Sequence, residues 1–229
     1  LQAVTFTAVT PKIGKDGSQS ADIRSDRQVV DFRHGFRSGE MGIDVTMKHG
    51  AYDSFLESAL FGEWTTNVLK AGTTLKPLSI EVGYTDIGQY HVYEGCVANT
   101  FSLSLGTDPE VTASFGFMAL DRADDTVSAD GDGATPVVAK RSFSSFQASL
   151  LEGGGAIAVV TGLELSLTNN LEAARVVGAE VASEYFEGRC SVTGTVNAFF
   201  EDAVLMNKFL NETPTSLQFT LTDPDANTL

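Results

Sequence analysis

Apolar residues recur at every second position along much of the chain: Val4, Phe6, Ala8; Leu78, Ile80, Val82; Phe101, Leu103, Leu105; Val111, Ala113, Phe115, Phe117; Leu163, Leu165, Leu167; Leu217, Phe219, Leu221. A period of two sends successive side chains to opposite faces, so each run predicts a half-buried strand. Turn chemistry separates the runs, as in TDIG (85–88), GTDPE (106–110) and TDPDAN (222–227), where Gly, Pro, Asp and Asn supply the backbone angles of a reversal. The expected architecture is mainly antiparallel β.

Two stretches switch from the strand period to the helical one. In 42–62, Tyr52, Phe55, Leu56, Ala59 and Leu60 fall at i, i+3, i+4, i+7 and i+8, with Asp53 near the positive end of the helix dipole. In 190–210, Val204, Leu205, Phe209 and Leu210 play the same part after Glu201 and Asp202. Helices of about 10 residues are marginal in water, so each is expected to lie on a sheet.

The two switches belong to a longer correspondence. Shifting the sequence by 149 places sets Gly39 on Gly188, Ile43 on Val192, Met47 on Val196, Asp53 on Asp202, Phe55 on Val204, Leu56 on Leu205 and Leu60 on Phe209. Downstream, after a shorter connector, residues 78–90 lie over 217–229, and upstream the opening strand 4–10 has a counterpart in 163–169. Four elements recurring in one order predict an internal duplication: a first unit at 1–121, an acidic Gly/Asp-rich linker or loop at 122–142, and a second unit at 143–229. The second unit lacks a counterpart of 91–120, which predicts an open sheet edge and a native gene that continues past residue 229.

Composition narrows the function. At 229 residues and 42% apolar content the chain can bury a conventional core, and its formal charge of −15 disfavours tight DNA or RNA binding. Cys96 and Cys190 stand singly in strand-like runs and are expected to be free buried thiols in a reducing compartment. No apolar run approaches the roughly 20 residues of a membrane helix. The stretch 121–142, DRADDTVSADGDGATPVVAKRS, reads as a linker or surface loop. Its DGDG lacks the alternate acidic ligands of a calcium loop, because Pro136 and Val137 stand where ligands should be.

No catalytic constellation emerges. His34, His49 and His91 lie in no metal-ligand spacing, and EGGGAIAVV (152–160) lacks the Lys and Ser/Thr of a phosphate loop. No cofactor, metal site or enzymatic activity is therefore expected. The most unusual stretch is 21–40, where Arg24, Arg27, Arg33 and Arg37 alternate with Asp22, Asp26 and Asp31. It has three readings: a solvated loop face, a docking arm for another copy of the chain, or a nucleic-acid contact that the net charge opposes. Arg24, Asp26, Arg27, Asp31, Arg33 and Arg37, with Asp124, Asp125, Asp130 and Asp132 of the linker, are the candidate subunit contacts.

Three blocks, IRSDRQVVDFRHGFRSGEMGIDVTMKHGAYDSFLESALFGEW (23–64), EGCVANTFSLSLGTDPEVTASFGFMAL (94–120) and AVVTGLELSLTNNLEAARVVGAE (158–180), resemble the major tail tube proteins of long, non-contractile-tailed bacteriophages and prophages. The resemblance implies duplicated tail-tube-type β-sandwich units, each with one flanking α-helix. It also implies self-association into a ring of three chains with pseudo-sixfold symmetry, or of six, stacked into a tube. Other partners it implies are the tape measure, terminator and tail tip proteins, with genomic DNA passing through the lumen without specific binding. The place implied is the virion tail, assembled in the host cytoplasm. A surface-displayed β-sandwich adhesin or binding module is the alternative that the residues leave open.

Overall fold

The computed structural model describes residues 2–22, 25, 26, 28, 31–131, 140–156, 160–199 and 203–229. Six strands line up as β1 (Ala8–Gln19), β2 (Phe32–Thr46), β5 (Thr112–Ala119), β4 (Gln89–Leu105), β9 (Val160–Thr168) and β12 (Ser191–Ala198), in that spatial order. Every neighbouring pair is antiparallel. Strands from both halves of the chain thus share one sheet, joined where β9 pairs with β4 from Thr100↔Thr168 to Leu105↔Leu163.

The 17-residue β4 serves two layers. Its second half lies in the main sheet, while its first half pairs with β3 (Leu78–Tyr84) and with β6 (Asp121–Asp125). The strand changes direction near Gly95, whose φ of 61° suits glycine, and a Cβ there would come 2.6 Å from Leu120 Cδ1.

Alternation decides which sheet face is covered. Met41, Ile43, Val45, Phe101, Leu103, Phe115, Phe117, Leu163 and Leu167 are buried on one side. Onto them fold α1 (Asp53–Leu60), through Phe55, Leu56 and Ala59, and a three-stranded sheet of β13 (Leu217–Thr220), β7 (Ser149–Glu152) and β8 (Gly155–Ala156). Phe55 meets Phe115 and Phe117 edge-on at 5.4 and 5.0 Å between ring centroids. Burying a side chain of this size contributes about 1.5–3 kcal/mol, enough to hold an eight-residue helix that would not persist alone. Short strands β10 (Glu172–Ala173) and β11 (Tyr185–Phe186) pair separately.

The structure departs from the sequence reading in five places. The first strand starts at Ala8, leaving Phe6 exposed, because only from Ala8 onward does β2 supply a continuous partner. The segment expected to be linker begins with β6, whose backbone extends the layer around β4 despite its polar side chains. The arginine-rich stretch is strand from Phe32 onward. Cys96 is buried as expected, but Cys190 is exposed beside the sheet border. Finally, α2 (Val204–Leu210) forms but is not covered by a sheet: Leu205, Met206, Phe209 and Leu210 are all exposed. Pro136, Val137, Glu201 and Asp202, which entered the calcium and helix arguments, lie outside the described residues.

Candidate assembly surfaces

The sheet face opposite the core carries hydroxyls and glycines in register. One row across the strands reads Thr10, Gly42, Gly116, Thr100, Thr168 and Ser191. The next reads Ala8, Asp44, Ser114, Ser102, Ser166 and Thr193, and a third Thr46, Thr112, Ser104, Glu164 and Thr195. Thr10 and Thr100 lean over their glycine neighbours, so that a Cβ on Gly42 or Gly116 would lie 2.6 or 2.3 Å from a threonine Oγ1. The face is therefore polar and built of short side chains. Its ionic groups are Glu40, Asp44 and Glu164 against Lys12, which lies 3.4 Å from Glu40. The signal for this face was present in runs such as FSLSL, LELSLTN and SVTGTVN, where the polar partner of each apolar residue is a small hydroxyl more often than a charge.

The sheet's two borders are β1 and β12, and among the described residues no strand pairs with the outer edge of either. Unpaired backbone donors and acceptors along a strand are a template for another chain. With six strands alternating in direction, β1 and β12 run oppositely, so joining β12 of one copy to β1 of the next continues the antiparallel pattern with both faces preserved.

The ionic candidates fall into separate groups. Arg33 Nε donates to Asp31 Oδ2 at 2.8 Å at the exposed start of β2. Arg37 is half-buried: its guanidinium bonds Asp121 at 2.6 Å and its backbone N–H donates to the Glu180 carbonyl at 2.7 Å. Asp26 Oδ1 accepts from Gln28 N at 3.3 Å. Asp124 pairs with Arg122 at 2.8 Å and lies 3.6 Å from His91 Nε2, while Asp125 Oδ1 accepts from Thr126 N and Val127 N, shaping a turn. The Asp130 N–H donates to Ser128 Oγ. Arg24, Arg27 and Asp132 lie outside the described residues. Sequence reasoning missed Arg175, which bonds Asp16 at 2.7 Å and stacks 4.4 Å over the Phe36 ring, fastening β1 and β2 to the β10–β11 region. Nothing in its local pattern marks it, because both partners are more than a hundred residues away in sequence.

Among the described residues no three His, Cys, Asp or Glu side chains converge as a metal ion requires, and no helix is long and apolar enough to cross a membrane. Trp64, the sole tryptophan, packs against the core and its indole N–H donates to the Asp53 carbonyl, so it does not stand out as a platform for sugar stacking.

A search of curated proteins returned no match. The family model described as phage tail tube protein matches residues 4–229, nearly the whole chain. The chain belongs to the phage tail tube protein family, whose members are structural components of the virion tail.

Proposed function

We propose that copies of this tail tube protein close into rings by pairing the borders of their sheets, and that the rings stack into the conduit through which the genome passes. The observation that carries this reading is the sheet itself: one face buried, the other hydroxylated, and both borders unpaired among the described residues. A head-to-tail contact whose rotation closes gives a ring, and a second such contact with translation gives a tube.

On this reading the hydroxyl face lines the bore. A duplex moving past Ser102, Ser114, Ser166 and Thr193 meets hydroxyls and the carboxylates of Asp44 and Glu164, and no row of cations that would hold its phosphates. The two strand pairs β1–β2 and β9–β12, each followed by a helix, support a duplicated unit at 1–121 and 143–229. A chain carrying two units makes a ring of three with pseudo-sixfold symmetry; a ring of six is the alternative.

For stacking between rings we assign the connection between β1 and β2, with Arg24, Asp26, Arg27 and Asp31, together with Arg33 at the start of β2. Its acidic counterpart is the segment bearing Asp124, Asp125, Asp130 and Asp132. Arg37, already paired with Asp121, would hold the base of that arm. Electron microscopy of the purified protein tests the reading: rings or tubes with a central hole are expected, and a dispersed monomer at high concentration overturns it. Substituting Arg24 and Arg27 by Ala should shorten tubes and leave the fold intact; unchanged tube length removes the arm from the account.

A further inference from the structure

Beyond Gly39↔Ala119, the last pair that β2 makes with β5, the strand neighbour of β2 among the described residues is β1 alone. Residues 14–19 and 32–38 thus leave the sheet as a two-stranded ribbon, and a register shift between Lys15 and Gly17 puts a bulge at Asp16, close to the sheet. Such a ribbon is marginal by itself, and a bulge bends it and raises its twist. Its direction has to be set by contacts from elsewhere in the chain.

Those contacts come from 169–190, which connects β9 to β12 as 20–31 connects β1 to β2. Leu171 and Tyr185 root this connection in a small apolar cluster apart from the main core, buried with Phe61 and Val97 against Leu75, Met118 and Leu120. β10 and β11 pair within it. Asn170 Nδ2 donates to the Arg189 carbonyl at 2.8 Å, and Gly188 lies so close to Asn170 that a side chain would not fit, which closes the two ends on each other. From this platform Arg175 reaches both strands of the ribbon: its Nη1 bonds Asp16 Oδ2 at 2.7 Å, at the bulge on β1, and its guanidinium lies 4.4 Å over the Phe36 ring of β2. Beside it the Arg37 backbone N–H, where β5 has ended, donates to the Glu180 carbonyl at 2.7 Å.

We propose that the 169–190 connection is a brace for the β1–β2 ribbon, and that Arg175 is the positioning residue that fixes the ribbon's direction for assembly. This rests on the reading above, in which 20–31 at the ribbon's end docks on the next ring. A ribbon free to swing about the Asp16 bulge is competent to dock for only a fraction of the time, and its apparent affinity falls by that fraction. Several ribbons engage together when one ring meets another, so the loss compounds. The guanidinium suits the task because its plane stacks on Phe36 while its edge meets the carboxylate, whereas an ammonium is a compact point charge. Asp16 and Arg175 are each 56% exposed, too open for their pair to add much to overall stability. What the pair fixes is an angle.

The test uses the full chain carrying Arg175→Ala, beside the variant with both Arg24→Ala and Arg27→Ala. Arg175→Ala should keep the parent's melting curve, exchange the Arg37 amide and its ribbon neighbours roughly tenfold faster, and need roughly tenfold more protein to form tubes. Arg175→Lys should fall between the two. Tubes formed by Arg175→Ala as readily as by the parent overturn the brace, and they leave the stacking arm standing if the double variant is impaired. Impaired assembly with unchanged ribbon exchange also overturns it, since Arg175 would then act by touching the neighbouring ring directly. A lowered melting curve does the same, because the contacts would then hold the fold rather than the angle. A double variant that assembles like the parent removes the arm and the brace's purpose with it, and a parent that forms no rings or tubes overturns both readings.

Discussion

Asn169 Nδ2 donates to the backbone carbonyl of Ala59, 2.9 Å away in space and 110 residues earlier in the chain. The same amide donates to the Ala98 carbonyl at 2.9 Å, and Ser58 Oγ accepts from Ala98 N at 3.0 Å. The end of α1, the irregularity of β4 between Ala98 and Thr100, and the end of β9 are thereby tied through buried side chains. Backbone groups freed by a helix end and a bulge inside a core need such partners.

Replacing Asn169 by Leu keeps the volume and removes both donors. Each carbonyl left bare in the core costs on the order of 1–3 kcal/mol. Thermal unfolding should therefore shift down by several degrees, at ~2–4 °C per kcal/mol for a chain of this size. A melting temperature equal to the parent's would show that the amide is not a tie.

Phe115 and Ser114 are adjacent residues on opposite faces of β5. Phe115 is fully buried among Phe55, Phe101 and Phe117, so Phe115→Ala should cost about 3–5 kcal/mol in denaturant titrations. Ser114→Ala, on the hydroxyl face, should stay within ~0.5 kcal/mol of the parent. Comparable losses from the two would contradict the assignment of faces.

The two thiols should behave differently toward a thiol reagent. Cys190 is exposed, whereas burial pushes the Cys96 thiol up to about 12 and keeps it protonated and shielded. One thiol per chain should react in the native protein and both after denaturation. Rapid modification of two native thiols would mean that the interior around Tyr93 and Cys96 opens readily.

Hydrogen bonds from Lys208 and Thr215 hold the Glu152 carboxyl below its ordinary value of 4.5. A carboxylate whose folded pKa is depressed contributes stability above its unfolded value and loses it as pH falls through the folded one. The protection of α2 amides, relative to their intrinsic exchange at each pH, should fall as the pH drops below the ordinary carboxylate range, and Glu152→Gln should remove that dependence. An identical acid response in Glu152→Gln would place its origin in another group.

Much of the fold was legible. The strands around Phe101, Phe115 and Leu165 follow from period-two alternation, and the α1 face from Tyr52, Phe55 and Leu56, because both patterns report directly which side of an element meets the core. The TDPDAN turn was legible as a turn. Its closing contacts were not, since Asp223 is buried and accepts from the N–H groups of Asp225 and Asn227 and from the Asn227 side chain at 2.8–2.9 Å only once the segment is packed. β6 was misread as linker because a polar strand at a layer's margin owes its pairing to the backbone, which composition does not record.

Local order along the chain settled the class of the protein: alternation, two helical switches and a recurring series of elements specify mainly β structure before any contact is known. Three matters needed the tertiary structure: that β9 joins β4 in one sheet, that small hydroxyls from six strands align on one face, and that the apolar side of α1 is covered while that of α2 is exposed. The physical reason is range. Periodicity expresses forces between residues a few positions apart, whereas strand neighbours, shared faces and open borders depend on pairings across many tens of residues, which tertiary packing selects.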